Sequence, residues 1–199
     1  MKVVITGHTC GIGRSIDKLL AEKGYEVVGL SRSNGFDITN TEKIMKTIDR
    51  YDPDIFINNA YAPGSQTFLL KQVFSNWRER EKLLINMCSV AALIPSDHVD
   101  YGMPYASDKR EQKVFCDSHN FKYSKGDYTE TKCRLVNLCF DYVKTSFKSK
   151  HDKRLYPNLE PNQVAGVVSY VIEGYNNNIC FREVSFHSTK SPELMKEEV

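Results

Sequence analysis

No two of the six cysteines in this 199-residue chain stand as Cys-x-x-Cys, and several of them (10, 88, 116, 133, 139, 180) fall in apolar runs. That spacing argues against a close-set thiolate metal site and against a disulfide scaffold. It fits a reducing compartment in which each thiol behaves as a small hydrophobe. Charge of one sign is also scarce: 27 basic and 25 acidic side chains leave +2 with histidine neutral. So even a balance gives no reason to expect a nucleic-acid groove or an anionic membrane partner. No apolar run approaches the roughly 18 residues of a spanning helix, and the opening "MKVVITG" meets a glycine turn too early for a signal peptide. A soluble, cytoplasmic protein without a metal is expected. Repeats, linkers and low-complexity tracts are missing too, so one domain should cover residues 1–190, with the charged 191–199, "PELMKEEV" and its preceding serine, loosely held.

What is present is alternation. Lys2 to Thr6 is a short β-branched run ended by Gly7, as for a strand buried on both faces. Ile16, Leu19 and Leu20 then recur at helical spacing until Gly24, and "YEVVGLS" reads as the next strand. Ile44, Met45 and Ile48 mark a second helix, and "DIFINNA" a third strand. Beyond it the pattern predicts a helix around Thr67 to Lys82, a strand "LLINMCSV", a polar helix from about Pro104, a strand "CRLVNLCF", a helix near Gln163 to Gly174 and a strand "ICFREVSF". Strands alternating with helices need right-handed crossovers. The expected fold class is therefore α/β: a Rossmann-like, doubly wound parallel sheet with helices on both faces.

"TGHTCGIG" follows the first strand and opens the first helix. Gly7 permits the tight turn, Gly11 lets backbone approach a pyrophosphate, and Gly13 allows helix to pack on strand, while the helix N-terminus offers unpaired N–H groups. A dinucleotide is implied. After the second strand, "VVGLSRSN" has no carboxylate placed for a ribose 2′-hydroxyl, whereas Ser31 and Arg32 suit a 2′-phosphate, which favours NADP (NADPH) over NAD. Tyrosine and lysine stand four residues apart twice, as Tyr105 with Lys109 and as Tyr128 with Lys132. With 11 tyrosines and 18 lysines about one such spacing arises by chance. Context separates them: Tyr128 and Lys132 immediately precede a strand, at the wrong edge of the sheet for a site, and read as surface residues.

Taken in order, the Thr-Gly-x-x-x-Gly-x-Gly turn, "NNA" at Asn58 to Ala60, "INMCSV" and Tyr105-x-x-x-Lys109 resemble the short-chain dehydrogenase/reductase family, in its shorter single-domain branch. The likeness covers nearly the whole chain. It implies hydride transfer between a nicotinamide and a carbonyl or alcohol, with Tyr105 as acid/base, Lys109 lowering its pKa and holding the nicotinamide ribose, and Ser89 bonding the carbonyl. It further implies cofactor contacts from Gly7, Thr9, Cys10, Gly11, Ile12 and Gly13. More come from Ser31, Arg32, Asp37 at the adenine amino group with Ile38 beside the ring, Asn59, Ala60 and Tyr61. Tyr142, Val143 and Thr145 would pass the nicotinamide. A homodimer is common in such proteins and is expected here.

The chain also departs from the pattern. Only residues 61–88, 28 in all, separate "NNA" from Ser89, and no asparagine stands where a proton-relay asparagine would fall, Asn76 being the nearest. Tyr61 replaces the usual glycine, and Phe140 and Asp141 the usual Pro-Gly. The stretch "FDITNTEKIMKTIDRYDPDIFINNAYA" is similar to sugar-nucleotide reductases of the extended branch, which carry a separate C-terminal substrate domain. With no residues left for that domain, a small carbonyl or alcohol is the expected substrate, under a lid between Thr145 and Pro161. A second reading, from the shortened helix and altered loop, is a dinucleotide-binding sensor with little or no catalysis.

Overall fold

Six short runs of β-branched and aliphatic residues line up side by side in the computed structural model, which describes residues 1–93, 103–124, 131–145 and 159–189. They are β1 (Lys2–Thr6), β2 (Glu26–Leu30), β3 (Ile55–Asn58), β4 (Leu83–Met87), β5 (Arg134–Phe140) and β6 (Glu183–Phe186). All pairings are parallel, in the order β2-β1-β3-β4-β5-β6. The helices are α1 (Gly11–Glu22), α2 (Thr41–Tyr51), α3 (Ser65–Trp77), α4 (Met103–Ser124) and α5 (Pro161–Asn176). The expected Rossmann-like α/β sheet is the fold observed.

Side-chain alternation along each strand sorts the core into two layers. Val3, Ile5, Ile55, Ile57, Leu83, Ile85, Val136 and Leu138 face α1 and α5, joining Ile16, Leu20, Val164 and Val168. Val4, Phe56, Leu84 and Leu135 face the other way, onto Ile44 and Ile48 of α2, Leu69, Val73 and Trp77 of α3, and Cys116 of α4. A strand buried on both sides has no polar face, which is why β1, β3 and β4 read as continuous apolar runs. All six cysteines are free thiols.

Helix ends follow local chemistry. The Asn40 side chain accepts from the Lys43 N–H at 3.1 Å and caps α2. At α5, Glu160 and Gln163 form a reciprocal cap with Pro161 in the first turn. The predicted third helix is shifted: α3 starts two residues earlier, because Gly64 (φ 72°) turns the chain into it, and it ends at Trp77, well before Lys82. The strand expected from Ile179 is confined to Glu183–Phe186, since Ile179 is bonded back to Gly174 at the end of α5.

Chain order reverses between β1 and β3, and every strand points its C-terminus to the same edge. Open parallel sheets bind ligands in that crevice. The loops after β1, β3, β4 and β5 therefore decide what the molecule can hold.

Candidate functional site

The turn after β1 is built for close approach. Gly7 and Gly11 have φ of 74° and 53°, in the left-handed region that favours glycine. A Cβ on Gly13 would stand 2.1 Å from the Gly7 carbonyl oxygen and 2.7 Å from Asn59 Nδ2, so helix and turn meet at a distance only glycine allows. Cys10 precedes α1 without any side-chain cap, and no carboxylate sits in the first turn. The helix therefore presents bare N–H groups and the positive end of its dipole to the crevice, and this cradle fits the diphosphate of a dinucleotide. Asn59 and Ala60 hold it: both N–H groups donate to Thr6 Oγ1 (3.0 and 2.9 Å), and Asn59 Nδ2 donates to the Thr6 carbonyl at 2.9 Å. Thr9 and Cys10 are exposed on the turn, while Ile12 is partly buried against the core.

Beyond β2 the structure redistributes the expected adenosine contacts. Ser31 is buried, its hydroxyl bonded to Ser33 Oγ at 2.8 Å, inside a 3-10 turn (Arg32–Asn34) that it caps. Arg32 and Ser33 are exposed there. Asp37 Oδ1 accepts from the Thr39 N–H (2.9 Å) and Thr39 Oγ1 (2.8 Å), and these bonds hold its carboxyl below the usual range. Ile38 is 7% exposed and belongs to the core layer of Ile44 and Ile48. A partner missed from sequence is His8, whose ring lies against Gly29: a Cβ there would fall 2.1 Å from it. The signal was a glycine inside a strand.

Ser89, Tyr105 and Lys109 come together from two elements. Ser89 follows the end of β4 and accepts the Ala91 N–H at 3.2 Å, while Tyr105 and Lys109 lie one turn apart near the start of α4. Ser89 lies near enough to the Tyr105 phenol to draw its pKa downward. Lys109 is 3% exposed, and its Nζ donates to Gln66 Oε1 (2.7 Å) and the Met87 carbonyl (2.8 Å), 5.5 Å from the centres of both the Tyr61 and Tyr105 rings. Burial pushes the Lys109 ammonium down to about 8. Burial also pushes the Tyr105 phenol up to about 12, with Ser89 pulling the other way. Desolvation thus sets the direction, and the Lys109 ammonium is turned toward Gln66 and Met87. Tyr105 is consequently a neutral phenol at pH 7, the form that donates a proton.

Tyr61, standing where a glycine is usual, packs edge-on against Tyr105 (centroids 4.9 Å apart) and donates to Asp108 Oδ2 at 3.1 Å. Asp108 also accepts the Gly64 N–H at 2.9 Å. Asn76 is exposed at the far end of α3 from Gln66, away from Lys109. After β5, Asp141 Oδ1 accepts the Tyr142 N–H, Val143 bridges Leu159, and Thr145 Cγ2 would lie 3.2 Å from a Cβ on Gly11, beside the phosphate cradle. Residues 146–158 of the expected lid, Tyr128, and the tail 191–199 lie outside the described residues. Lys132 is exposed and precedes β5 at the edge opposite the crevice.

A crevice of this construction defines a dinucleotide-binding Rossmann protein with a serine, tyrosine and lysine at its mouth. The family model of the RmlD substrate binding domain matches residues 1–63. The chain is 42% identical over 179 residues to dTDP-4-dehydrorhamnose reductase from Aggregatibacter actinomycetemcomitans, covering 89% of this chain and 54% of that protein. It thus spans about half the length of this curated relative. Among solved structures, it is similar to 3-alpha-hydroxysteroid dehydrogenase from Pseudomonas sp. B-0831 complexed with NADH. There the TM-score is 0.73 at 15% identity, covering all of both chains. It is also similar to an alcohol dehydrogenase from the archaeon Thermococcus sibiricus complexed with 5-hydroxy-NADP. There the TM-score is 0.69 at 19% identity, covering 96% of this chain and 97% of that one. These likenesses show the fold, the Rossmann-like α/β sheet that this chain shares with both dehydrogenases.

Proposed function

We propose that this chain is a nicotinamide-dependent oxidoreductase, NADPH being the favoured coenzyme, that reduces the ketone of a nucleotide-linked sugar. The observation that carries the reading is the meeting of Ser89, Tyr105 and Lys109 at the strand ends beside the Gly7–Gly13 cradle. The 42%-identical relative, whose name specifies a nucleotide-linked keto sugar, supports that substrate class over the small carbonyl or alcohol expected from sequence. That expectation rested on where the chain ends. An end point decides nothing in a chain spanning about half of its relative.

Gly7, Thr9, Cys10, Gly11 and Gly13 would hold the diphosphate, Arg32 with Ser31 and Ser33 the 2′-phosphate end, and Tyr61, Lys109, Tyr142, Val143 and Thr145 the nicotinamide end. The bound coenzyme supplies hydride. Ser89 Oγ would donate its one hydrogen to the substrate carbonyl and orient it. Tyr105 would give its phenolic proton to the carbonyl oxygen as negative charge develops there. Lys109, one helical turn on, would face the resulting phenolate with its ammonium and stabilise it.

The test offers purified protein dTDP-4-dehydrorhamnose and a panel of small ketones and alcohols with NADPH or NADH. Nicotinamide oxidation with the sugar nucleotide is expected, reduced at least 100-fold in Tyr105→Phe with coenzyme affinity kept. Coenzyme binding without turnover on any of these would favour the sensor reading, and unchanged turnover in Tyr105→Phe would reject the role of that tyrosine.

A further inference from the structure

Beneath the site the core holds a buried amide network. Asn58, Asn86 and Asn137 stand in register on β3, β4 and β5, all fully buried, and bond in a row: Asn58 Nδ2 to Asn86 Oδ1 at 3.1 Å, Asn86 Nδ2 to Asn137 Oδ1 at 2.9 Å. Gln112 of α4 accepts from Asn86 at 3.2 Å and donates to Thr67 Oγ1 at 3.1 Å. Gln66, in the first turn of α3 and 1% exposed, closes the network upward. Its Nε2 donates to the Asn58 carbonyl (2.8 Å) and the Met87 carbonyl (3.1 Å), pinning the ends of two neighbouring strands. Its Oε1 accepts from Lys109 Nζ at 2.7 Å and from Gln112 Nε2 at 3.4 Å.

These partners leave the Gln66 amide only one orientation. Two of them are carbonyls, which accept and never donate, and one is an ammonium, which donates and never accepts. Both donors and both acceptor sites of the amide are used. A buried group so satisfied is rigid, and the Lys109 ammonium inherits that rigidity, with two of its three N–H bonds committed to Gln66 and Met87 and one left over.

We infer that Gln66 is the positioning residue of this site: its carbonyl oxygen keeps the buried Lys109 protonated and aims the remaining N–H at the mouth of the crevice. The inference rests on the reading of Lys109 as part of an oxidoreductase site. Among the described residues no asparagine bonds Lys109 Nζ, Asn76 being at the far end of the same helix. The other ionisable groups around Lys109 are Cys88 at the end of β4, Cys139 on β5, Asp108 on α4, and the phenols Tyr61 and Tyr105. Each thiolate or carboxylate among them favours the charged amine, against the desolvation that disfavours it.

The experiment reads the Lys109 titration directly, by NMR of protein carrying 13C-labelled lysine with the signal assigned by its loss in Lys109→Met. Wild type should titrate near 8. Gln66→Met keeps the volume and removes the acceptor, and the midpoint should fall by about one pH unit. Gln66→Glu adds a carboxylate, and the midpoint should rise by about one unit or more, even though that side chain repels two carbonyls and weakens the fold. Val168→Ala, which opens the core against α5 and touches none of these groups, should lower stability and leave the midpoint in place. Opposite shifts in the two Gln66 variants are beyond a merely structural glutamine. Midpoints within 0.3 unit of wild type in both, or moving the same way in both, would overturn the inference. The measurement uses free protein, so a chain that turned over no substrate would sink the proposed activity while this result stood or fell by itself. With an active enzyme, the basic limb of the kcat profile should move with the Lys109 midpoint.

Discussion

At the scale of single residues, Lys109 shows how burial changes a group that composition treats as ordinary. Its amine leaves water almost wholly, and its pKa drops from 10.5 to about 8. In the unfolded chain the same amine stays protonated to about 10.4. Between those two values the unfolded state binds the extra proton, so the fold gains stability as pH rises through that window. Chemical denaturation at pH 7.5 and 9.5 should therefore show wild type gaining about 2 kcal/mol more than Lys109→Met over the interval. Tyr105 contributes in the opposite sense only above pH 10, because its pKa is raised. An equal slope in the variant would mean that Lys109 titrates as an exposed lysine. The thiols beside it act on each other: Cys139 draws Cys88 below its ordinary value against the burial that raises it, and is itself pushed up by Cys88 and by burial.

At the scale of elements, the same glycine substitution should have opposite signs in two helices. Gly13 begins α1 under the Gly7 carbonyl, with backbone as the obstacle, whereas Gly166 is exposed in α5 with nothing within 4 Å of an added methyl. Gly13→Ala should cost about 1–3 kcal/mol in urea unfolding and weaken NADPH binding at least tenfold by opening the phosphate turn. Gly166→Ala should stabilise by about 0.5–1 kcal/mol and leave binding alone. A neutral Gly13→Ala would mean that α1 can slide off the turn. The element boundaries themselves were legible where the period was clear. Isoleucine and leucine at helical spacing placed α1 and α2, and β1 matched its apolar run residue for residue. The start of α3 was not legible, because its first turn is polar: Gln66 and Thr67 are buried to bond the network rather than to fill the core.

At the scale of the whole molecule, a bound dinucleotide would tie the turn after β1 to the ends of β2 and β3 and so stabilise the entire sheet. Coenzyme at 100 times its Kd adds about 2.7 kcal/mol. NADPH should accordingly raise Tm more than NADH at equal concentration, and Arg32→Ala should remove the difference; equal shifts in wild type would reject the phosphate role of Arg32. Sequence by itself determined the parallel α/β sheet and the glycine turn that follows its first strand. Strands buried on both faces need uninterrupted apolar runs, and a glycine turn needs its glycines in order. Only the tertiary structure decided which polar groups meet. It turned Ile38 into the core, folded Ser31 into a local turn, and brought Gln66 to Lys109 across 43 residues and Asn86 to Asn137 across 51. Such pairs depend on strand register and on the rotation of α3 and α4 against the sheet, and neither leaves a periodic trace in the chain.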